Sequence, residues 1–240
     1  MIRFAWFAYG VACYGLFLAV FLYFIGFVAG LPLPKTVDSG PAAPLATALA
    51  VDLGLIALFG LQHSVMARAG FKRRLAQWLP PAAERSTYVL ATNLVLILLF
   101  AFWQPLPGRV WEAGSPLLAG AVYALAALGW LLVLVSTFLT DHFDLFGLRQ
   151  VYLQLVRRSY TPVAFREILF YRWIRHPMML GLLIALWASP VMTASHLLFS
   201  LGMTVYIFVG IRFEEAGLRA ELGQPYRDYA GRTGRLLPFF

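Results

Sequence analysis

"FAWFAYGVACYGLFLAVFLYFIGFVAGL", residues 4–31, decides the class of fold. It runs without a charge, and at about 1.5 Å per helical residue it spans a hydrocarbon core of ~30 Å with length to spare. It follows Arg3, is too long for the apolar core of a cleavable signal, and lacks a small-residue cleavage site before more polar chain. It is therefore read as a retained first span.

The composition agrees. Of 240 residues, 61% are hydrophobic and 12% charged, with a mean hydropathy of +0.75. A water-soluble domain is nearer half apolar and a quarter charged, so the surplus faces lipid. After the first span, at about 5–30, runs of spanning length recur at 45–67, 87–104 and 117–139. Two shorter runs, 178–189 and 196–211, flank "SPVMTASH" (189–196), where Pro190 and small polar residues favour a turn. The first of these is too short to cross upright, so 178–211 is read as a helical hairpin among the other helices. The expected architecture is all-α: a polytopic integral membrane helical bundle, one membrane domain over 1–240. It has a C-terminal hairpin, a cytoplasmic segment 212–240 and a cytoplasmic cofactor site. The crossings are even in number, either four plus a shallow hairpin or six.

Segments 1–4, 68–86, 140–176 and 212–240 hold seventeen of the nineteen Lys and Arg, leaving Lys35 and Arg109 in the alternate loops. The positive-inside rule puts the rich side, and both termini, in the cytoplasm. The net charge of +8 is then a signal to topology and to lipid headgroups, and nucleic acid is not an expected partner. Cys13, the lone cysteine, lies in the first span, so neither a disulfide nor a thiolate cluster is available. The histidines, at 63, 142, 176 and 196, show no H-E-x-x-H or Cys-His spacing, and no metal site is expected.

Polar chemistry gathers where the last apolar runs meet the cytoplasm. Pro177 suits the first turn of a helix, which places Arg175 and His176 at its N-terminal mouth. Open amides, the dipole and Arg175 would receive a carboxylate or phosphate; the alternative is an arginine anchored to headgroups. Gly181, one turn on, admits close approach of either a ligand or another helix. Glu214 and Glu215 close an apolar helix, where they oppose the dipole and are costly unless paired. They either receive a ligand's hydroxyl or amino groups, beside Tyr226, Arg227 and Tyr229, or pair with Arg212 and Arg219.

"RHPMMLG" (175–181) and "EEAGLRAELGQPYRDYAGRTGRLLP" (214–238) together resemble the ending of the isoprenylcysteine carboxyl methyltransferase and phospholipid methyltransferase superfamily. Met179 departs from it, standing where an aromatic is usual. The resemblance implies S-adenosylmethionine held by Arg175, His176, Pro177, Gly181, Glu214, Glu215, Tyr226 and Tyr229. "LFGLQHSVMAR" (58–68), "ERSTYVL" (84–90), "STFLTDHFDLFGLRQVYL" (136–153), "YTPVAFRE" (160–167) and "VDSGP" (37–41) look like the bacterial methanethiol S-methyltransferase group. That resemblance implies methylation of a small volatile thiol, methanethiol, to dimethyl sulfide, in a bacterial inner membrane.

Transfer from a sulfonium to sulfur needs positioning, a thiolate and exclusion of water. An alkyl thiol is mostly protonated near neutrality, by analogy with cysteine, so a base is wanted. His63 and His142 are the candidates, each with the alternative of a structural histidine; His196 falls on the wrong side. Glu84 with Arg85 and Asp144 with Arg149 read as charge pairs tying loops to helix ends, or as pocket lining with Tyr88 and Phe143. Tyr88, Phe143, Phe146 and Tyr226 are rings that could surround the sulfonium.

Three other readings compete. One is a methyltransferase for prenylcysteine or a phospholipid. Another is an NADPH-dependent membrane reductase, since sterol reductases carry a similar ending. The third is a scaffold related to denitrification-associated proteins, which share the "QHS" and "ERS" segments and are expected to lack the complete ending.

Overall fold

A computed structural model describes residues 1–238. The chain divides into two compact units, Met1–Gly108 with Asp141–Val163, and Arg109–Thr140 with the chain from Ala164 onward.

The first unit contains α1 (Ile2–Ala29), α2 (Leu45–Met66), α3 (Ala69–Leu75), α4 (Pro81–Phe102), α6 (His142–Leu145) and α7 (Leu148–Leu155). Both α1 and α2 pack on α4, and α7 lies against α1, where Val151 fills the space that a side chain at Gly10 would take. α4 begins at Pro81, six residues ahead of the apolar run, because its first turns carry the polar "ERST" that binds the loop after residue 140. Asp52, fully buried in α2, accepts the Gln104 amide at 2.8 Å and so secures the chain leaving α4.

The second unit contains β1 (Arg109–Glu112), α5 (Pro116–Leu139), a 3-10 turn (Leu169–Arg172), α8 (Pro177–Trp187), β2 (Val191–Thr193), α9 (Ala194–Leu222) and α10 (Gln224–Arg232). α5 and α8 run antiparallel at backbone contact. A Cβ on Gly181 would lie 2.7 Å from Gly129 O and 2.9 Å from Val133 N, and one on Gly129 2.7 Å from Ala185 N. Only glycine at both positions allows this crossing.

"SPVMTASH" is more than a turn. Val191–Thr193 pairs antiparallel with Arg109–Glu112, which brings the α8–α9 junction to the end of the unit where α5 begins. Roughly 16 Å of α8 and about 20 Å of extended chain together cover the distance that the short helix alone does not. Non-helical backbone at that depth survives only if its polar groups are satisfied. Leu186 O receives both His196 Nε2 at 2.9 Å and Ser200 Oγ at 2.9 Å, Ser189 O accepts from Trp111 Nε1 at 3.0 Å, and Pro190 O accepts from Ala113 N at 2.8 Å. His196 is thus a structural histidine.

Among the described residues five helices, α1, α2, α4, α5 and α9, are long and apolar enough to cross a membrane, and the protein is an all-α multi-pass membrane protein. The run at 196–211 is extended at both ends into a 29-residue helix that carries Glu214 and Glu215 on its last turns.

Candidate active site

In the second unit the two C-terminal motifs meet. Glu215, 1% exposed, accepts Arg175 Nε at 2.9 Å, Arg219 Nη2 at 3.0 Å and Arg235 Nη2 at 3.2 Å, and lies 3.3 Å from His176 Nε2. The other ring nitrogen of His176, Nδ1, is 3.5 Å from Glu214. Adjacent carboxylates therefore do different work: Glu215 is enclosed by cations, while Glu214, 49% exposed, keeps most of its carboxylate open.

The chain entering α8 is held by the chain that follows α10. The amides of Arg175 and His176 donate to Gly234 O at 2.9 Å and Arg235 O at 3.1 Å, and the chain past α10 forms a parallel bridge between Ile174 and Gly234. Arg175 Nη1 donates to Ala230 O at 2.8 Å and also to Thr233 O. Arg175 thus spans Glu215 on α9 and the carbonyls at the end of α10, tying the two motifs together. Of the two uses open to Gly181, the structure shows the close approach of a helix: its Cα faces the α5 backbone at Gly129 and Val133. Pro177 opens α8 as its first residue.

Tyr226 and Tyr229 are buried on α10, with the Phe165 ring edge-on to both at 6.1 and 5.1 Å. Tyr229 donates to Tyr171 O at 2.7 Å. The Tyr226 hydroxyl, equally buried, has no hydrogen-bond partner among the described residues. Burial first, then the charge of Glu215, pushes the Tyr226 phenol up to about 12, so it remains a neutral donor. Burial and the neighbouring Tyr226 do the same for Tyr229, also to about 12.

In the first unit His63, on the last turn of α2, has its ring against Phe59 (5.4 Å) and Tyr88 (5.0 Å). His63 Nδ1 is 3.3 Å from Thr92 Oγ1, and the Tyr88 hydroxyl donates to His63 O at 3.3 Å. Arg85 lies over the Tyr88 ring at 5.0 Å and donates through Nε to Leu145 O at 2.6 Å. The Glu84–Arg85 pair expected from sequence is not formed: as neighbours on a helix they point apart, and Glu84 meets Lys72 at 3.3 Å. The Asp144–Arg149 pair is present at 2.7 Å, and Asp144 also accepts the Tyr160 hydroxyl at 3.2 Å. Asp144 thereby ties Arg149 and Tyr160 into one loop. Phe143, 48% exposed, is edge-on to the His142 ring.

His142 is buried, with Tyr14 Oη 2.8 Å from its Nε2. Burial pulls it below the ordinary imidazole value, against the opposing pull of Asp141. It starts a tight loop in which Gly147, at φ 87°, is indispensable: a Cβ there would lie 2.6 Å from Ser86 N. The Arg219–Glu215 pair is one of the two pairings the sequence offered, whereas Tyr14, Gly147, Thr92 and Arg235 were not found by sequence reading. Of these, only Arg235, in the basic "GRTGR" within the second motif, carried a usable signal.

A family model described as NnrU protein matches residues 53–236. The matched span takes in residues 175–181 and the second motif as far as residue 236. Methanethiol S-methyltransferase of Mycobacterium tuberculosis is 49% identical, covering 100% of this chain and 98% of that protein. Methanethiol S-methyltransferase 1 of Bradyrhizobium diazoefficiens is 48% identical, covering 99% of this chain and 83% of that protein. Nurim of Xenopus laevis is 32% identical over 78% of this chain and 70% of its own length. No solved structure matches the chain. With these matches extending over nearly all its residues, the chain belongs to the NnrU protein family and to the family of the methanethiol S-methyltransferases.

Proposed function

We propose that this protein is a membrane thiol methyltransferase that converts methanethiol to dimethyl sulfide with S-adenosylmethionine as donor. The observation that carries this reading is near-half identity, over essentially the whole chain, to proteins named methanethiol S-methyltransferase.

S-adenosylmethionine, when bound, would supply a sulfonium methyl group to an attacking thiolate, with S-adenosylhomocysteine as the neutral leaving group. The residues of the second unit fit such a ligand in two respects. Glu214 offers a half-open carboxylate to a ribose diol or an ammonium group, and Tyr226 offers a buried neutral hydroxyl that has no other partner among the described residues. Arg175, His176, Glu215 and Tyr229 hold these two in place, and Pro177 and Gly181 fix the direction and packing of α8. In the first unit, His63 takes the thiol proton, with Phe59 and Tyr88 supplying an apolar wall that excludes water and favours a methylthio group. His142 remains neutral and braces the loop carrying Phe143. By the positive-inside rule, both termini and the Glu214 end of α9 lie in the cytoplasm of a bacterial inner membrane. A charged water-soluble donor reaches the Glu214 end of α9 from that side, and a volatile oil-soluble thiol partitions into lipid.

The test is a substrate panel on the purified protein in detergent with S-adenosylmethionine. Dimethyl sulfide in the headspace from methanethiol, with no methylation of a prenylcysteine analogue or of phosphatidylethanolamine, is expected. Methylation of a lipid alone, or binding of NADPH without S-adenosylmethionine, would overturn the assignment.

A further inference from the structure

The hydrogen bonds around Thr92 determine which nitrogen of His63 carries its proton. Gln62 Nε2 lies 3.2 Å from Met66 Sδ and 3.4 Å from Thr92 Oγ1. A thioether can only accept, so the amide edge facing Met66 and Thr92 is the NH2 edge, and Thr92 receives a hydrogen from it. Thr92 is on α4, and its own hydroxyl is 3.0 Å from Tyr88 O, the carbonyl one turn back, which also can only accept. A hydroxyl has one hydrogen and two lone pairs. With the hydrogen donated to Tyr88 O and one lone pair taken by Gln62, what remains for His63 Nδ1, 3.3 Å away, is a lone pair. The contact is therefore Nδ1–H donating to Thr92.

We infer that Thr92 is a positioning residue for the methyl transfer: it holds His63 in the Nδ1–H tautomer, so that Nε2 is the nitrogen that accepts the thiol proton. The inference rests on the reading of His63 as proton acceptor, and it adds what that reading leaves open. The proton passes from the thiol sulfur to Nε2, the sulfur keeps the electron pair, and the resulting imidazolium is still anchored through Nδ1–H to Thr92. Met66, Gln62, Thr92 and Tyr88 form one chain of fixed donors and acceptors, so the ring orientation is determined before substrate arrives. A threonine in an apolar helix that bonds back to the preceding turn would otherwise be a minor structural detail. Here its second role follows from the count of its hydrogens.

Two measurements test this. The first is the 15N spectrum of histidine-labelled protein in lipid nanodiscs, with His63 assigned by its loss in His63→Gln. A pyrrole-type Nδ1 and a pyridine-type Nε2 are expected, and the reverse pattern overturns the inference. The second compares Thr92→Val with Thr92→Ser. Thr92→Val should lower kcat for methanethiol by about 10- to 100-fold, by analogy with the partners that orient metal-bound histidines, with a smaller change in KM. It should also give a mixed tautomer signal, and Thr92→Ser should restore both. An unchanged tautomer in Thr92→Val also overturns the inference. If His63→Gln keeps full turnover while the wild-type spectrum shows Nδ1–H, the base assignment fails and the tautomer assignment stands.

Discussion

Replacing Glu215 with glutamine removes one negative charge from among Arg175, Arg219, Arg235 and His176 while preserving size. The partners do not count equally. Arg175 is 9% exposed against a carboxylate 1% exposed, so losing that charge strands a buried guanidinium, at a cost of about 3–5 kcal/mol for breaking a buried pair. Arg219 and Arg235 are nearly half exposed and water can take over their solvation, so each contributes ~0–1 kcal/mol. The buried pair dominates, and for a protein of this size 3–5 kcal/mol corresponds to a fall of roughly 6–20 °C in Tm. The assay is thermal unfolding of purified protein in detergent micelles, with Glu214→Gln as the matched control. That neighbouring carboxylate makes one 3.5 Å contact and is half exposed, so its loss should cost under about 1 kcal/mol. A Glu215→Gln protein that melts within about 2 °C of both wild type and Glu214→Gln would refute the reasoning that Glu215 is the structural carboxylate of the pair.

The other predictions concern packing, protonation and the donor site. Gly181→Ala should destabilise by about 1–3 kcal/mol, since the new methyl meets the backbone of α5, which cannot yield as a side chain would; unchanged melting would contradict the Gly129–Gly181 crossing. For His142, burial lowers the folded value below that of the unfolded chain, so the unfolded state binds more protons in the window just below about pH 6.5. The stability it confers is therefore complete above that pH and is lost as pH falls toward the lowered value. His142→Phe should reduce the acid sensitivity of Tm relative to wild type, and an identical pH dependence would sink that assignment. Tyr226→Phe should weaken S-adenosylmethionine binding by about tenfold in calorimetry while leaving Tm within ~2 °C, because the hydroxyl has no other partner among the described residues; equal affinity would remove Tyr226 from the donor site.

The long apolar runs made the class of fold plain, because in lipid a charge-free stretch of spanning length has few other uses. The crossing through α8 was less legible. Length alone describes an 11-residue helix as a half-span, and the completion by 188–193 depends on a two-stranded ladder with Arg109–Glu112. "RVWE" has no alternation of its own; it becomes a strand because a partner arrives from eighty residues away. The residues of the two C-terminal motifs were visible in sequence, but their division of labour was not. Glu214 and Glu215 are indistinguishable as letters, and only the convergence of Arg175, Arg219 and Arg235 assigns one to the frame and leaves the other open. Gly181 was ambiguous because a glycine that admits a ligand and one that admits a helix have the same signature. Thr92 gave no signal at all, since its role depends on Gln62 and His63 thirty residues earlier.

The most direct measurement uses purified protein, methanethiol and S-adenosylmethionine whose transferable methyl is deuterated, with the headspace analysed by mass spectrometry. Dimethyl sulfide carrying one deuterated and one ordinary methyl, formed with turnover and sharply reduced in His63→Ala, is the predicted result. Dimethyl sulfide without the label, or no product from protein shown to be folded and to bind the donor, would contradict the account.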